Sequence, residues 1–275
     1  MTVKRTIRQL LALAVCLEQS DTPLLDCQLM LAHVTGKSRS WLLSHDDLVP
    51  ENCVRFKFEE MVRRRQTGEP VAYILGYKDF WRSRLSVNSA TLIPRPETEL
   101  LVELALEAMP DGACKVVDLG TGSGAIAITL ALEQPDWQLF ANDLCAASLR
   151  MAQKNATGID NLFLFRGHWT EAIATHSMDM VVCNPPYIRA NDPHLDALQA
   201  EPPVALVSGD SGLHDVQLVI KGTRRIIKSG GILILEHGFD QRDAVQDLLE
   251  DQGCVAIEMF DDLNRLPRAI KATFQ

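Results

Sequence analysis

Lys115-Val116-Val117-Asp118-Leu119 runs without a break into Gly120-Thr121-Gly122-Ser123-Gly124, and Ala125-Ile126-Ala127-Ile128-Thr129-Leu130 follows. A short apolar run with β-branched residues, ended by glycine, reads as a buried strand. The segment after Gly124 reads as a helix. Strand, glycine turn and helix in this order make a ligand-binding unit. The glycines let the backbone approach a ligand closely, and the helix N-terminus favours negative charge. The spacing here is G-x-G-x-G, one residue shorter than the G-x-G-x-x-G of dinucleotide enzymes.

The same pattern extends on either side. Strands are predicted at 115–119, 138–142, 162–166, 180–183, 232–236 and 255–260, with helices between most of them. Such alternation implies an α/β domain with a mostly parallel sheet and helices on both faces. Asp143 ends the second of these strands, about 20 residues beyond the glycine loop, where a carboxylate can bind both hydroxyls of a ribose. Trp169 follows the third strand and offers an apolar face to an adenine ring. An adenosine-containing ligand without phosphates suits the shortened loop. S-adenosylmethionine is one, because its methionine carboxylate can take the helix end instead of a pyrophosphate. The residues expected to hold it are Gly120, Thr121, Gly122, Ser123, Gly124, Asp143, Trp169 and Asn184. Each feature alone has a plainer reading: a structural turn, a solvated aspartate, a core tryptophan.

Asn184-Pro185-Pro186-Tyr187 follows the fourth strand. Open α/β sheets bind ligands at the carboxyl ends of their strands. Two prolines stiffen the backbone and remove two amide donors, leaving carbonyl acceptors. The Asn184 side chain adds another acceptor, and Tyr187 gives a flat face. Such a site can grip the two N–H groups of a planar NH2. An amide nitrogen is a poor nucleophile, whereas a sulfonium-borne methyl is strongly electrophilic. Orientation and desolvation then matter more than a strong base. Asn184, Pro185 and Tyr187 are the expected catalytic residues, and Asn184, Pro185, Pro186 and Tyr187 the expected substrate contacts.

Residues 1–74 read as a small helical domain, 75–90 as an extended connector or hairpin, and 91–275 as the catalytic domain. Leu10, Leu13, Ala14 and Leu17 share one helical face. Thr22-Pro23 looks like a helix start with the hydroxyl capping free amides; Leu25, Leu29 and Val34 continue a buried stripe, and Gly36 ends the helix. A further helix is expected from about Glu51 to Arg65. Lys4, Arg5 and Arg8 precede an apolar run in the manner of a signal peptide. The run is too short to span a membrane and no small-x-small site follows, so an amphipathic first helix is expected.

The chain has 275 residues, 47% hydrophobic and 23% charged, with a formal net charge of −9. This is an ordinary globular composition of about two domains. The acidic balance argues against a general nucleic-acid binder, which needs cationic surface for phosphates. Seven cysteines without a C-x-x-C pair suggest neither a disulfide framework nor a zinc site, and a reducing cytoplasm is expected. No metal ligands are expected.

On these motifs the chain resembles the HemK/PrmC family of protein glutamine methyltransferases. The resemblance rests on Leu92-Ile93-Pro94-Arg95-Pro96-Glu97-Thr98-Glu99, on Asp118 to Gly124 and on Asn184 to Tyr187. Asp192-Pro193-His194 and Glu236-His237-Gly238 are also similar to the family. His168 departs from it, standing where an acidic residue is common. The resemblance implies a seven-stranded class I S-adenosylmethionine-dependent methyltransferase domain, Rossmann-like, preceded by a small helical substrate-recognition domain. It implies S-adenosylmethionine as donor and S-adenosylhomocysteine as product. The implied substrate is the glutamine of the Gly-Gly-Gln loop in bacterial peptide chain release factors 1 and 2, without direct nucleic-acid binding. The Pro-Arg-Pro-Glu-Thr-Glu run resembles the release-factor enzymes more than the ribosomal-protein glutamine methyltransferases. An adenine N6 methyltransferase acting on nucleic acid is the other reading of the tetrapeptide, since an adenine amino group is also planar and conjugated.

Overall fold

The computed structural model describes residues 4–109 and 112–275 and divides into two compact units, Met1–Tyr77 and Lys78–Gln275. The first is helical: α1 Ile7–Leu11, α2 Pro23–Thr35, α3 Arg39–Ser44, α4 Asn52–Gln66 and α5 Val71–Leu75. Its core gathers Leu10, Leu17, Met30, Leu31, Phe58 and Ile74 among others. Gly36 ends α2 in the left-handed conformation.

Three local expectations are corrected in this unit. The first helix tightens into a 3-10 turn over Ala12–Cys16, which leaves Leu13 and Ala14 half-buried while Leu10 and Leu17 are buried. The buried face of α2 is Cys27, Met30 and Leu31, and Leu25, Leu29 and Val34 are only half-buried. The Thr22 hydroxyl does not cap α2; it donates to Asp26 Oδ1 at 3.2 Å. The competing acceptor explains this. Asp26 is a buried carboxylate, and Ser20 Oγ and Arg65 Nε also converge on it, both at 2.7 Å. A buried charge needs such partners.

A two-stranded hairpin follows, β1 Tyr77–Phe80 with β2 Ser83–Ser86. The second unit then runs α6 Glu99–Ala108, β3 Lys115–Leu119, α7 Ala125–Glu133, β4 Gln138–Asp143, α8 Ala146–Asn155, β5 Leu162–Arg166 and β6 Met178–Cys183. It closes with α9 His214–Ile226, β7 Ile227–Glu236, α10 Arg242–Asp251, β8 Cys254–Asp261 and β9 Pro267–Phe274. The larger sheet has seven strands in the order β5-β4-β3-β6-β7-β9-β8. Strands β5 to β7 are parallel, and β9 is antiparallel to both β7 and β8. The strand β9 is absent from the six predicted by pattern. Its alternation is carried by Ile270, Ala272 and Phe274 on one face, with Ala269 buried on the other, and the two alanines have low strand propensity.

Both faces of the central strands are buried. On β3, Val116 packs into one core with residues of α6 and α7, and Val117 and Leu119 into the other with residues of α9 and α10. Two-sided burial is why these strands read as continuous apolar runs. Chain order reverses between β3 and β6, which are paired neighbours with Leu119 opposite Cys183. The segments leaving those two strands, Gly120 onward and Asn184 onward, therefore emerge side by side. That is the topological switch point at which such sheets bind ligands. No helix among the described residues is long and apolar enough to cross a membrane.

Candidate active site

The glycine loop is built around a buried carboxylate. Asp118 Oδ2 accepts from Thr121 Oγ1 at 2.6 Å and from the Ala127 amide at 3.2 Å, tying the loop to the first turn of α7. Burial pushes the Asp118 carboxyl up to about 7 against these hydrogen bonds. The Thr121 amide donates to the Asn142 carbonyl at 2.8 Å, fastening the loop to β4. Gly120 has φ +73°, and a Cβ there would stand 3.0 Å from the Trp169 ring. Only glycine admits both the backbone and that close approach.

Opposite the loop, Asp143 ends β4. Its Oδ2 accepts from the Gly122 amide at 3.0 Å and its Oδ1 from the Cys145 amide at 2.8 Å. Burial raises its proton affinity and these amides oppose the rise. Trp169, at φ 43°, is held by Asn142 Nδ2 donating to its carbonyl at 2.6 Å. Its indole Nε1 is buried without a hydrogen-bond partner among the described residues. His168 lies at the rim, with Nδ1 3.1 Å from Glu171 Oε1.

Gly120, Gly122, Asp143, Trp169, Asn184 and Pro186 line one cleft of about 300 Å³, a size suited to a small molecule. Thr121, Ser123 and Gly124 do not line it. The Thr121 hydroxyl is spent on Asp118, the Ser123 side chain is buried, and Gly124 packs on Ile128 and Ala152. A second recess of about 230 Å³ holds Pro185, Tyr187, Arg95 and Glu236. Asn184 lines both, so it stands where the two cavities meet.

The tetrapeptide is braced from beneath. Asn184 Nδ2 donates to Thr98 Oγ1 at 3.1 Å, and Thr98 Oγ1 donates to Glu236 Oε2 at 2.8 Å. The Tyr187 hydroxyl donates to Glu236 Oε1 at 3.0 Å, and Arg268 Nη1 donates to that hydroxyl at 3.5 Å. Burial holds the Tyr187 phenol far above its usual range, so it stays protonated and donates. Gln241 Nε2 donates to the Tyr187 carbonyl at 3.0 Å. Among the described residues, no backbone amide donates to the Pro185 carbonyl. Glu201, buried beside the second recess, accepts from the Ile93 amide at 2.9 Å and pairs with Arg95.

Comparison with known proteins agrees with this architecture. Residues 9–76 match the family model described as PrmC N-terminal domain, and residues 96–209 match the Methyltransferase small domain. The release factor glutamine methyltransferase of Escherichia coli is 42% identical over 236 residues, covering 84% of each chain. That of Vibrio cholerae is 44% identical over 241 residues, covering 85% of this chain and 84% of the relative. The chain belongs to the release factor glutamine methyltransferase family. A solved methyltransferase from Pyrococcus furiosus matches 69% of this chain and 87% of its own, with a TM-score of 0.53 at 12% identity. The fold is the seven-stranded methyltransferase fold, with the helical unit ahead of it.

Sequence reading did not single out Gly212, Gln241 or Arg268, and placed Thr98 and Glu236 only inside motifs of the family. One signal for Glu236 was present: a lone acid closing the apolar run Ile232-Leu233-Ile234-Leu235. A charge at the end of a buried strand calls for a partner.

Proposed function

We propose that this chain transfers a methyl group from S-adenosylmethionine to the side-chain amide nitrogen of the glutamine in the Gly-Gly-Gln loop of peptide chain release factors 1 and 2, in the cytoplasm. The observation that carries this reading is the place of Asn184 between two cavities, with its amide nitrogen engaged by Thr98 and its Oδ1 without a hydrogen-bond partner among the described residues. The family's relatives bear the name of this activity.

The larger cleft fits the donor. Gly120 and Gly122 leave its floor open, the Asp143 carboxylate faces it for the ribose hydroxyls, and Trp169 offers an apolar wall for the adenine. S-adenosylmethionine supplies a methyl group already activated on a sulfonium. Asn184 and Pro185 line the second recess, and in this reading Asn184 Oδ1 and the Pro185 carbonyl accept from a substrate NH2. Tyr187 lies along the same recess. These acceptors hold the nitrogen lone pair toward the larger cleft and stabilise the charge that nitrogen gains, and the proton then leaves to water.

Incubation with labelled methyl donor should modify the glutamine of a folded release factor and leave duplex DNA and ribosomal proteins unmodified, as read by mass mapping of the product. Methylated adenine would put the nucleic-acid reading in its place. Asp143→Ala should lower affinity for the donor roughly tenfold or more, since a charge-assisted hydrogen bond contributes about 1.5–3 kcal/mol. Calorimetric titration giving an unchanged dissociation constant would remove Asp143 from the site.

A further inference from the structure

We propose that Thr98 and Glu236 are positioning residues that dictate which end of the Asn184 amide faces the substrate. The inference rests on the function proposed above and adds to it a reason for the amide's orientation. An asparagine amide has two ends of nearly equal shape, one accepting and one donating. Turning it over costs nothing in packing, yet it replaces an acceptor with a donor. A donor facing the NH2 of a substrate glutamine repels it. The orientation of Asn184 must therefore be set by what lies behind it.

Behind it lies a chain of hydrogen bonds with a single direction. Glu236 as a carboxylate only accepts. Its Oε2 takes the one hydroxyl proton of Thr98, at 2.8 Å. Thr98 Oγ1 then has only lone pairs for Asn184, so the nitrogen end of the amide must face it, at 3.1 Å. Oδ1 is left toward the cavities. The other carboxylate oxygen is taken by the Tyr187 hydroxyl, so the same group also braces the far end of the tetrapeptide. Glu236 is 1% exposed and Thr98 5%, so water does not compete for these positions.

The charge on Glu236 is what makes the chain one-way. Burial, with the Glu97 charge adding to it, raises the proton affinity of Glu236 above that of an ordinary carboxylate, and the Thr98 hydrogen bond, the Arg268 guanidinium and the Tyr187 hydrogen bond oppose the rise. With a proton on Oε2, Glu236 could donate to Thr98. Thr98 could then donate to Asn184 Oδ1, and the amide could turn over. Thr98 comes from the Pro-Arg-Pro-Glu-Thr-Glu run and Glu236 from the Glu-His-Gly run. Two sequence motifs thereby converge on one side chain of a third.

The test is a mutant cycle on the full chain. Thr98→Val keeps the shape and removes the hydroxyl; it should lower kcat on a release-factor glutamine roughly tenfold or more, with donor affinity unchanged. Thr98→Ser should restore most of the loss. In the Asn184→Ala background Thr98→Val should have no further effect on kcat, because the side chain it orients is gone. A measurement on wild-type protein needs neither substrate nor variant. The Asn184 side-chain NH2 should show slow solvent exchange by NMR, as a group donating to a buried oxygen. Fast exchange of that NH2 would overturn the proposal, as would an equal loss from Thr98→Val in both backgrounds. Failure of wild type to methylate any glutamine would instead overturn the proposed function, and the exchange measurement would still decide the orientation.

Discussion

Asn184→Ala is expected to lower turnover on a release-factor glutamine by roughly a hundred- to a thousandfold, the cost of removing one preorganised contact that stabilises developing charge. Alanine keeps the turn, because Pro185 and Pro186 fix the backbone and the Gln241 bond to the Tyr187 carbonyl remains. Thr98 keeps its bond to Glu236, so the brace beneath the site survives. What disappears is the acceptor between the two cavities. The loss should fall on kcat more than on KM, since the contact strengthens as nitrogen gains charge. Affinity for S-adenosylmethionine should change little, because Asp143, Trp169 and the glycine loop are untouched. Initial rates with a folded release factor, set beside calorimetry with the donor, check both halves. Near-normal turnover in the variant would make the tetrapeptide a structural turn and end the mechanism given for it.

The legible parts of this protein are those where burial is two-sided or a turn demands one residue type. The strand β3 was predicted with the bounds it has, because all of it after Lys115 is buried. The end of α2 was legible because Gly36 adopts positive φ. The strand β9 was not, since alanines and intervening Arg268 and Lys271 blur its alternation. Within the glycine loop, spacing does not say which residues turn toward a ligand. Gly120 and Gly122 line the cleft, whereas Thr121 turns back onto Asp118. Thr98 and Glu236 lie 138 residues apart in the chain, and only the sheet order brings them together beneath Asn184. No local pattern carries such a contact. Roles that depend on a side chain's partner were for that reason less legible than positions set by strand ends.

Gly212→Ala should also lower turnover strongly, through the backbone rather than through a lost functional group. Gly212 has φ +74°, and a Cβ there would stand 2.5 Å from the Tyr187 carbonyl oxygen and 2.7 Å from Gln241 Nε2. The first of these neighbours is backbone and cannot swing aside. The left-handed conformation costs an alanine about 1–2 kcal/mol in addition. The Gln241 amide donates to the carbonyls of both Tyr187 and Gly212, at 3.0 and 3.2 Å, so all three groups must shift together. Tyr187 is joined through its hydroxyl to Glu236 and through the chain to Asn184, so the shift reaches the second recess that these residues line. A misplacement of about 1 Å at a reacting geometry can cost on the order of a hundredfold in rate. Turnover should fall by about that factor. Donor affinity should hold within a few-fold, because Gly212 does not line the larger cleft. A melting curve separates this from unfolding: the variant should retain a cooperative transition at lowered temperature. Full activity in Gly212→Ala would mean that the Tyr187 backbone can yield without consequence, and that the brace beneath the tetrapeptide does not govern the geometry of methyl transfer.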